Sequence, residues 1–226
     1  MTGEITAPDV HLMKEWKVTE QHVKVQFVRM LSLALEQMLL IRRALLGGQY
    51  RGLGKVTHTL ESELDLLERK LEDACLGLMS SGDSAPQELR FSLMIFRSLA
   101  ELERVGDYGR HVGRDLEAIG SQLVGGPLSD VVPQLDLLAQ MTEWLSFALT
   151  ERDVTAAREV MRLDYEDVDA LFEQIQRAAL TRILEQPSDL EAGLKAIQMA
   201  RSLERLGDHL VNVAERVEAY LQMAQS

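Results

Sequence analysis

The segments Leu102-Glu-Arg-Val-Gly-Asp107 and Leu203-Glu-Arg-Leu-Gly-Asp208 carry the same acidic pair twice. In a helix, Glu103 and Asp107, like Glu204 and Asp208, stand one turn apart on one face. Like charges at that spacing cost a few tenths of a kcal/mol. The intervening Gly106 or Gly207 costs roughly 1 kcal/mol more in a helix interior. Two locally unfavourable choices made in both copies imply a compensating partner, either a cation held by the acids or a backbone that approaches closely at the glycine. A further acidic stripe lies at Glu61, Asp65, Glu68 and Glu72, spaced i, i+4, i+7 and i+11. Carboxylates converging without thiolate or imidazole form a hard, oxygen-rich site, suited to Fe, Mn, Mg or Ca rather than to structural zinc. A lone Glu-x-x-x-Asp is ordinarily a solvated face, and Arg104 with Asp107 or Arg205 with Asp208 reads as an ordinary i,i+3 pair. The duplication is what gives the metal reading its weight.

Helical periodicity interrupted by a few breakers divides the chain into six helices. The first spans roughly 19–46 and stops at Gly47-Gly48. The second spans 54–79 and stops at Ser80-Ser81-Gly82. The third opens with the capping-box pattern Ser84-x-x-Gln87, has Pro86 in its first turn, and reaches Ile119. Gly120 and Gly125-Gly126-Pro127 form the strongest interruption. Beyond it come a helix over 129–150, a tight turn at Glu151-Arg152-Asp153, a helix over 153–186, and a last helix over 188–222 with a second capping pattern, Ser188-x-x-Glu191. The expected architecture is all-α: an N-terminal extension over 1–18, one three-helix bundle over 19–121 and a second over 127–226, each with its own core.

The closing helices test for duplication. Residues 92–119 laid on 193–220 without a gap match at nine of 28 positions, where composition alone gives roughly two. The middle helices align at an offset of 104, Leu64-Asp65-Leu66-Leu67 falling on Val168-Asp169-Ala170-Leu171. The chain is therefore an internal duplication. Helices joined by a short loop run antiparallel, so residues equidistant from the turn share a level. The midpoint of Glu61/Asp65 and Glu103/Asp107 is position 84, inside the loop, and that of Asp169 and Glu204 falls beside Gln186-Pro187. Acids from two helices should therefore meet at one level in each half. The first half offers four, Glu61, Asp65, Glu103 and Asp107, and is expected to bind metal more tightly. The second offers Asp169, Glu204 and Asp208, with Tyr165 in the fourth place, although a small helix rotation would bring in Asp164 or Glu166.

Composition narrows the rest. The 226 residues are 46% hydrophobic and 5% aromatic, with a net charge of -12, which disfavours nucleic acid and anionic membrane surfaces. No apolar run is long enough to span a bilayer. One cysteine, Cys75, fits a reducing compartment, and the acidic N-terminus is unlike a signal peptide, so the expected location is cytoplasmic. His111 and Asn212 are equivalent residues four beyond each Asp and could extend a site, while His22, His58 and His209 read as surface histidines. The Glu-x-x-His of di-iron bundles is absent, no Gly-rich phosphate loop occurs, and no nucleophile has an adjacent base, so an enzyme is not indicated. Leu- and Met-rich stripes on so thin a bundle suggest a homodimer.

Two three-helix units closing in LERVGDYGRHV and LERLGDHLVNVAE resemble the PhoU family of bacterial phosphate-signalling proteins, over nearly the whole chain from residue 20. The motif Glu204-x-x-x-Asp208-x-x-x-Asn212 is close to the family's form. His111 in place of the usual asparagine makes the first motif atypical. The resemblance implies surface metal clusters at Glu61, Asp65, Glu103 and Asp107 and at Asp169, Glu204 and Asp208, the second extended by Asn212; the carboxylate donors suit Fe, Mn or Mg, with Zn or Ca also open. It implies a negative regulator of phosphate uptake and of the starvation response, acting between a phosphate ABC transporter's ATPase and a sensor histidine kinase. A metal-storing or redox helical protein and a metal-free scaffold are the alternatives.

Overall fold

The computed structural model describes residues 19–80, 85–119 and 127–225. Helix α1 (Glu20–Gly47) is capped by Thr19, whose hydroxyl accepts from the His22 N–H at 3.2 Å. It ends where Gly48 adopts a left-handed φ of 62° and returns its N–H to Ala44. Helices α2 (Leu53–Ser80) and α3 (Pro86–Ile119) complete the first half. Ser84 lies outside the described residues, and at the start of α3 the Glu88 carboxylate accepts from the Ala85 N–H at 3.1 Å. A 3-10 turn (Pro127–Val131) leads into α4 (Val132–Glu151), followed by Arg152 in the left-handed region and by Asp153, which caps α5 (Val154–Leu163) through the Thr155 and Ala156 N–H groups. A single π turn (Asp164–Val168) joins α5 to α6 (Asp169–Glu185). A 3-10 turn (Pro187–Asp189) precedes α7 (Leu190–Gln225). There the Ser188 hydroxyl donates to the neighbouring Asp189 carboxylate, so a 3-10 turn stands where a capping box was expected. No strand occurs among the described residues.

The all-α duplicated plan holds, but the halves do not keep separate cores. One apolar cluster runs from Val23 and Phe27 on α1 to Val217 and Leu221 on α7. Equivalent helices meet antiparallel across it. Between α1 and α4, Met38 touches Thr142, Arg42 pairs with Asp136, and the Lys24 ammonium donates to the Thr150 carbonyl at 3.1 Å. Between α3 and α7, Phe91 packs edge-on against Tyr220 at 5.6 Å, and Tyr108 stacks on His209 at 5.7 Å. Tyr108 and His209 occupy the same place in their halves, so their contact marks a pseudo-twofold relation. The two bundles share a core because α1 and α3 each present a second apolar stripe. Helix α1 buries Val23, Phe27, Met30, Leu31, Ala34, Met38 and Ile41, more than one narrow seam accommodates.

Within the first half, α3 is drawn close to its neighbours at glycines. A β-carbon at Gly106 would stand 2.6 Å from Leu64 Cδ1, and one at Gly109 would collide with the buried amide of Gln37, whose Nε2 donates to the Thr57 carbonyl at 3.0 Å. Gly109→Ala should therefore destabilise the protein by about 1–3 kcal/mol despite alanine's better helix propensity. Gly77→Ala, at an exposed helical site with open space around it, should stabilise by up to about 1 kcal/mol. Equilibrium urea unfolding of the two variants checks both signs.

Candidate metal-binding clusters

Glu61 and Asp65 on α2 face Glu103 and Asp107 on α3 because the two helices run antiparallel, as the positions flanking the turn require. Asp65 and Glu103 both feel their neighbours. Burial raises Asp65 above the usual carboxylate range, with Glu61 and Asp107 adding to the effect while Arg69 and Arg110 oppose it. Burial, Asp107, Asp65 and Glu61 raise Glu103 against Arg104. Glu68 is raised by burial and by Glu103. One cation sits between the helices: Arg110 Nη2 donates to Asp107 at 2.8 Å while its buried Nε lies 3.2 Å from Glu61. His58 Nδ1 approaches Glu61 from the solvent side at 2.9 Å.

The second cluster contains a residue that the equal-offset reading left out. Tyr165 points to solvent, 81% exposed, and Asp164 takes the inner place with only 9% exposure. The cause is the π turn. The Asp169 N–H bonds the Asp164 carbonyl five residues back, so Asp164 stands above Asp169 as Glu61 stands above Asp65. Before the turn the buried positions Thr57 and Leu60 match Val160 and Leu163 at an offset of 103; after it Leu64, Leu71 and Cys75 match Val168, Ile175 and Ala179 at 104. One inserted residue is absorbed in a single wide turn, a local distortion often found at functional sites. Asp164 is seated against Gly207, where a β-carbon would collide with its Oδ1. That oxygen is buried and has no hydrogen-bond partner among the described residues. Burial, then Asp169, Asp208 and Glu204, push its pKa up to about 7. Asp169 and Glu204 are raised as well, first by burial and then by Asp208.

As placed, no three Asp, Glu, His or Cys side chains among the described residues stand close enough together to hold an ion. The two sets are therefore gathered to one level but not closed. The donor chemistry of the second set fits a hard cation: four carboxylates, one of them buried and unpartnered. Asn212 is turned elsewhere. Its Nδ2 donates to Glu101 of α3 at 3.1 Å, beside His209 at 2.7 Å and Arg216 at 2.6 Å. Burial pushes Glu101 up, but these three donors outweigh it and hold the carboxyl below its ordinary value. His209 is thus an inter-half partner rather than a free surface histidine. Cys75 is buried and its thiol is pushed up to about 11, as befits an inert core residue.

A family model for the PhoU domain matches twice, over residues 27–121 and 135–217. The chain belongs to the PhoU family. It is similar to an uncharacterised protein of Deinococcus radiodurans, 52% identical over 89% of this chain and 73% of that one. It is also similar to a phosphate-specific transport system accessory protein PhoU homolog from the same organism, 38% identical over 85% and 86%. Its fold matches the crystal structure of PhoU from Pseudomonas aeruginosa with a TM-score of 0.82 at 25% identity, covering 90% of this chain and 97% of that one. No described helix is long and apolar enough to cross a membrane.

Against the duplicated PhoU plan, sequence spacing missed two residues. The signal for Asp164 was the change of buried offset between Leu60/Leu163 and Leu64/Val168, which reveals the inserted residue. The signal for Arg110 was its mismatch with Val211, the residue at the same place in the second half.

Because Asp164 holds its proton more tightly when folded than the ordinary 3.8 of an unfolded aspartate, protonation stabilises the fold at low pH, and this contribution is lost as pH rises from about 4 to 7. In chelator, Asp164→Asn should therefore flatten the decline of the melting temperature between pH 4.5 and 8 relative to the unmodified chain. Parallel melting curves in the two proteins would contradict this assignment.

Proposed function

We propose that this PhoU-family chain is a cytoplasmic regulator of phosphate uptake and of phosphate-starvation signalling, acting through protein contacts rather than catalysis. The observation that carries the reading is the family match over both halves, together with relatives named as accessory proteins of phosphate-specific transport. Its partners are a phosphate ABC transporter's ATPase and a sensor histidine kinase, and it works as a homodimer. Exposed apolar side chains such as Leu66, Leu184 and Phe147 support self-association or docking of this kind. The −12 charge and the absence of a basic patch argue against nucleic acid as the partner.

Metal belongs to the same reading. A hard divalent or trivalent cation such as Mn, Fe or Mg would be held by carboxylates paired across two helices. Bound there, it would supply the charge that offsets their mutual repulsion and tie the helices of one half together. The buried Asp164 oxygen, without a hydrogen-bond partner among the described residues and facing Asp169, Glu204 and Asp208, supports this, since a cation would satisfy it.

Deletion of the gene in its host should raise phosphate accumulation and starvation-gene output, and the cloned chain should restore both. Unchanged phosphate accumulation in the deletion strain would overturn the regulatory reading. For the metal, Mn(II) at 100 times its dissociation constant should stabilise the chelator-treated protein by about 2.7 kcal/mol. Thermal melts with and without Mn(II) measure this directly, and superimposable curves would count against metal binding.

A further inference from the structure

The two clusters share a plan but differ in the cation the chain itself provides. In the first, the Arg110 guanidinium lies between α2 and α3, paired with Asp107 at 2.8 Å and Glu61 at 3.2 Å. The place is confined: Arg110 Nε is buried, and Glu61 and Asp107 are only 12% and 18% exposed in their side chains. At the same place in the second half stands Val211, packed against the apolar core. There Asp208 is 40% exposed, and the buried Asp164 oxygen has no partner. The rim arginines do not make this difference, because Arg104 and Arg205 are equivalent, exposed, and 3.5 Å from their aspartates in both halves. Flanking charges nearly balance too: Glu68, Glu72 and Arg69 surround the first cluster, and Glu173 and Arg201 surround the second.

We infer that Arg110 is a built-in counter-ion that closes the first cluster to metal, so that the cation site of this chain is the second cluster alone. The inference rests on the metal reading above and reverses the order that carboxylate counting suggests. A guanidinium is always charged, and Arg110 hydrogen-bonds Asp107 while its Nε stands in ion-pair contact with Glu61 without a hydrogen bond to it, so a cation entering the first cluster must displace it from both carboxylates and leave Arg110 partly buried without a partner. Removing one member of a buried ion pair is costly for that reason. In the second cluster nothing has to leave. Four carboxylates are present because the π turn supplies Asp164, and the one arginine paired with them among the described residues, Arg205, stays at the exposed rim and does not reach the Asp164 oxygen. The two halves have thus diverged on one plan: in one an arginine of the chain offsets part of the charge through ion pairs, in the other that place is left for an ion.

The test exchanges the two residues. Chelator-stripped protein is dialysed against Mn(II), and manganese per chain is counted by mass spectrometry. The unmodified chain should bind manganese and lose it in Asp208→Asn. Arg110→Val should roughly double the manganese bound, since each half then offers four carboxylates, and adding Asp107→Asn should remove the gain. If Arg110→Val is unfolded without metal, recovery of its helical circular dichroism on adding Mn(II) reports the same gain. The reverse change, Val211→Arg, should abolish binding in a chain that remains helical. Manganese retained in Asp208→Asn, or an unchanged count in Arg110→Val, overturns the inference while leaving the metal reading intact. Manganese absent from both the unmodified chain and Arg110→Val overturns the metal reading itself, and the inference with it.

Discussion

The close approach of paired helices at glycine is the constraint on which the rest depends. At Gly106 the missing β-carbon admits Leu64 of α2, and at Gly207 it admits Asp164 from the π turn. In both halves this contact lies one residue before the motif aspartate, so whatever brings the helices together also brings their acids to one level. Each glycine costs helix propensity and each acidic pair adds repulsion. The apolar core beneath them, continuous from Val23 to Leu221, is what tolerates both. Leu64, Leu102, Val168 and Leu203 are all fully buried beside the clusters, and burying such side chains contributes about 1.5–3 kcal/mol each. The helices that carry the acids are thus held together by the core beneath them rather than by the acids themselves.

Much of this was legible from spacing. The repeated LER-hydrophobe-GD segment, the breakers at Gly47-Gly48 and Gly125-Gly126-Pro127, and the antiparallel arithmetic around position 84 lead directly to facing acids on α2 and α3. What escaped had physical reasons. An apolar stripe says that a face is buried, not by which helix, so the shared core made by α1 with α4 and α3 with α7 could not be told from two separate cores. A single inserted residue within a helix leaves periodicity nearly intact on both sides, so the π turn was hidden and Tyr165 stood where Asp164 belongs. Arg110 lies three residues from Asp107 on the same helix, and its reach to Glu61 across the gap depends on a side-chain conformation that spacing does not specify. Asn212, grouped with the acids by position, turns to Glu101 because α7 also faces the first half.

The duplicated halves have come to differ in electrostatics while keeping one backbone plan. Glu101, His209, Asn212 and Arg216 tie α3 to α7 across the pseudo-twofold, so a change in charge at either cluster acts on helices that also form the junction between halves. Asp208 and His209 are adjacent on α7, as Asp107 and Tyr108 are on α3. An ion at the second cluster would thus neutralise the residue next to the Tyr108–His209 stack.

If Arg110 closes the first cluster, an ion belongs among Asp164, Asp169, Glu204 and Asp208 and not among Glu61, Asp65, Glu103 and Asp107. Anomalous diffraction from crystals grown with Mn(II) and recorded at the manganese edge examines both places in one molecule. A peak is expected among Asp164, Asp169, Glu204 and Asp208 and none between Glu61 and Asp107. A peak beside Arg110, or no peak at either cluster, would contradict this expectation.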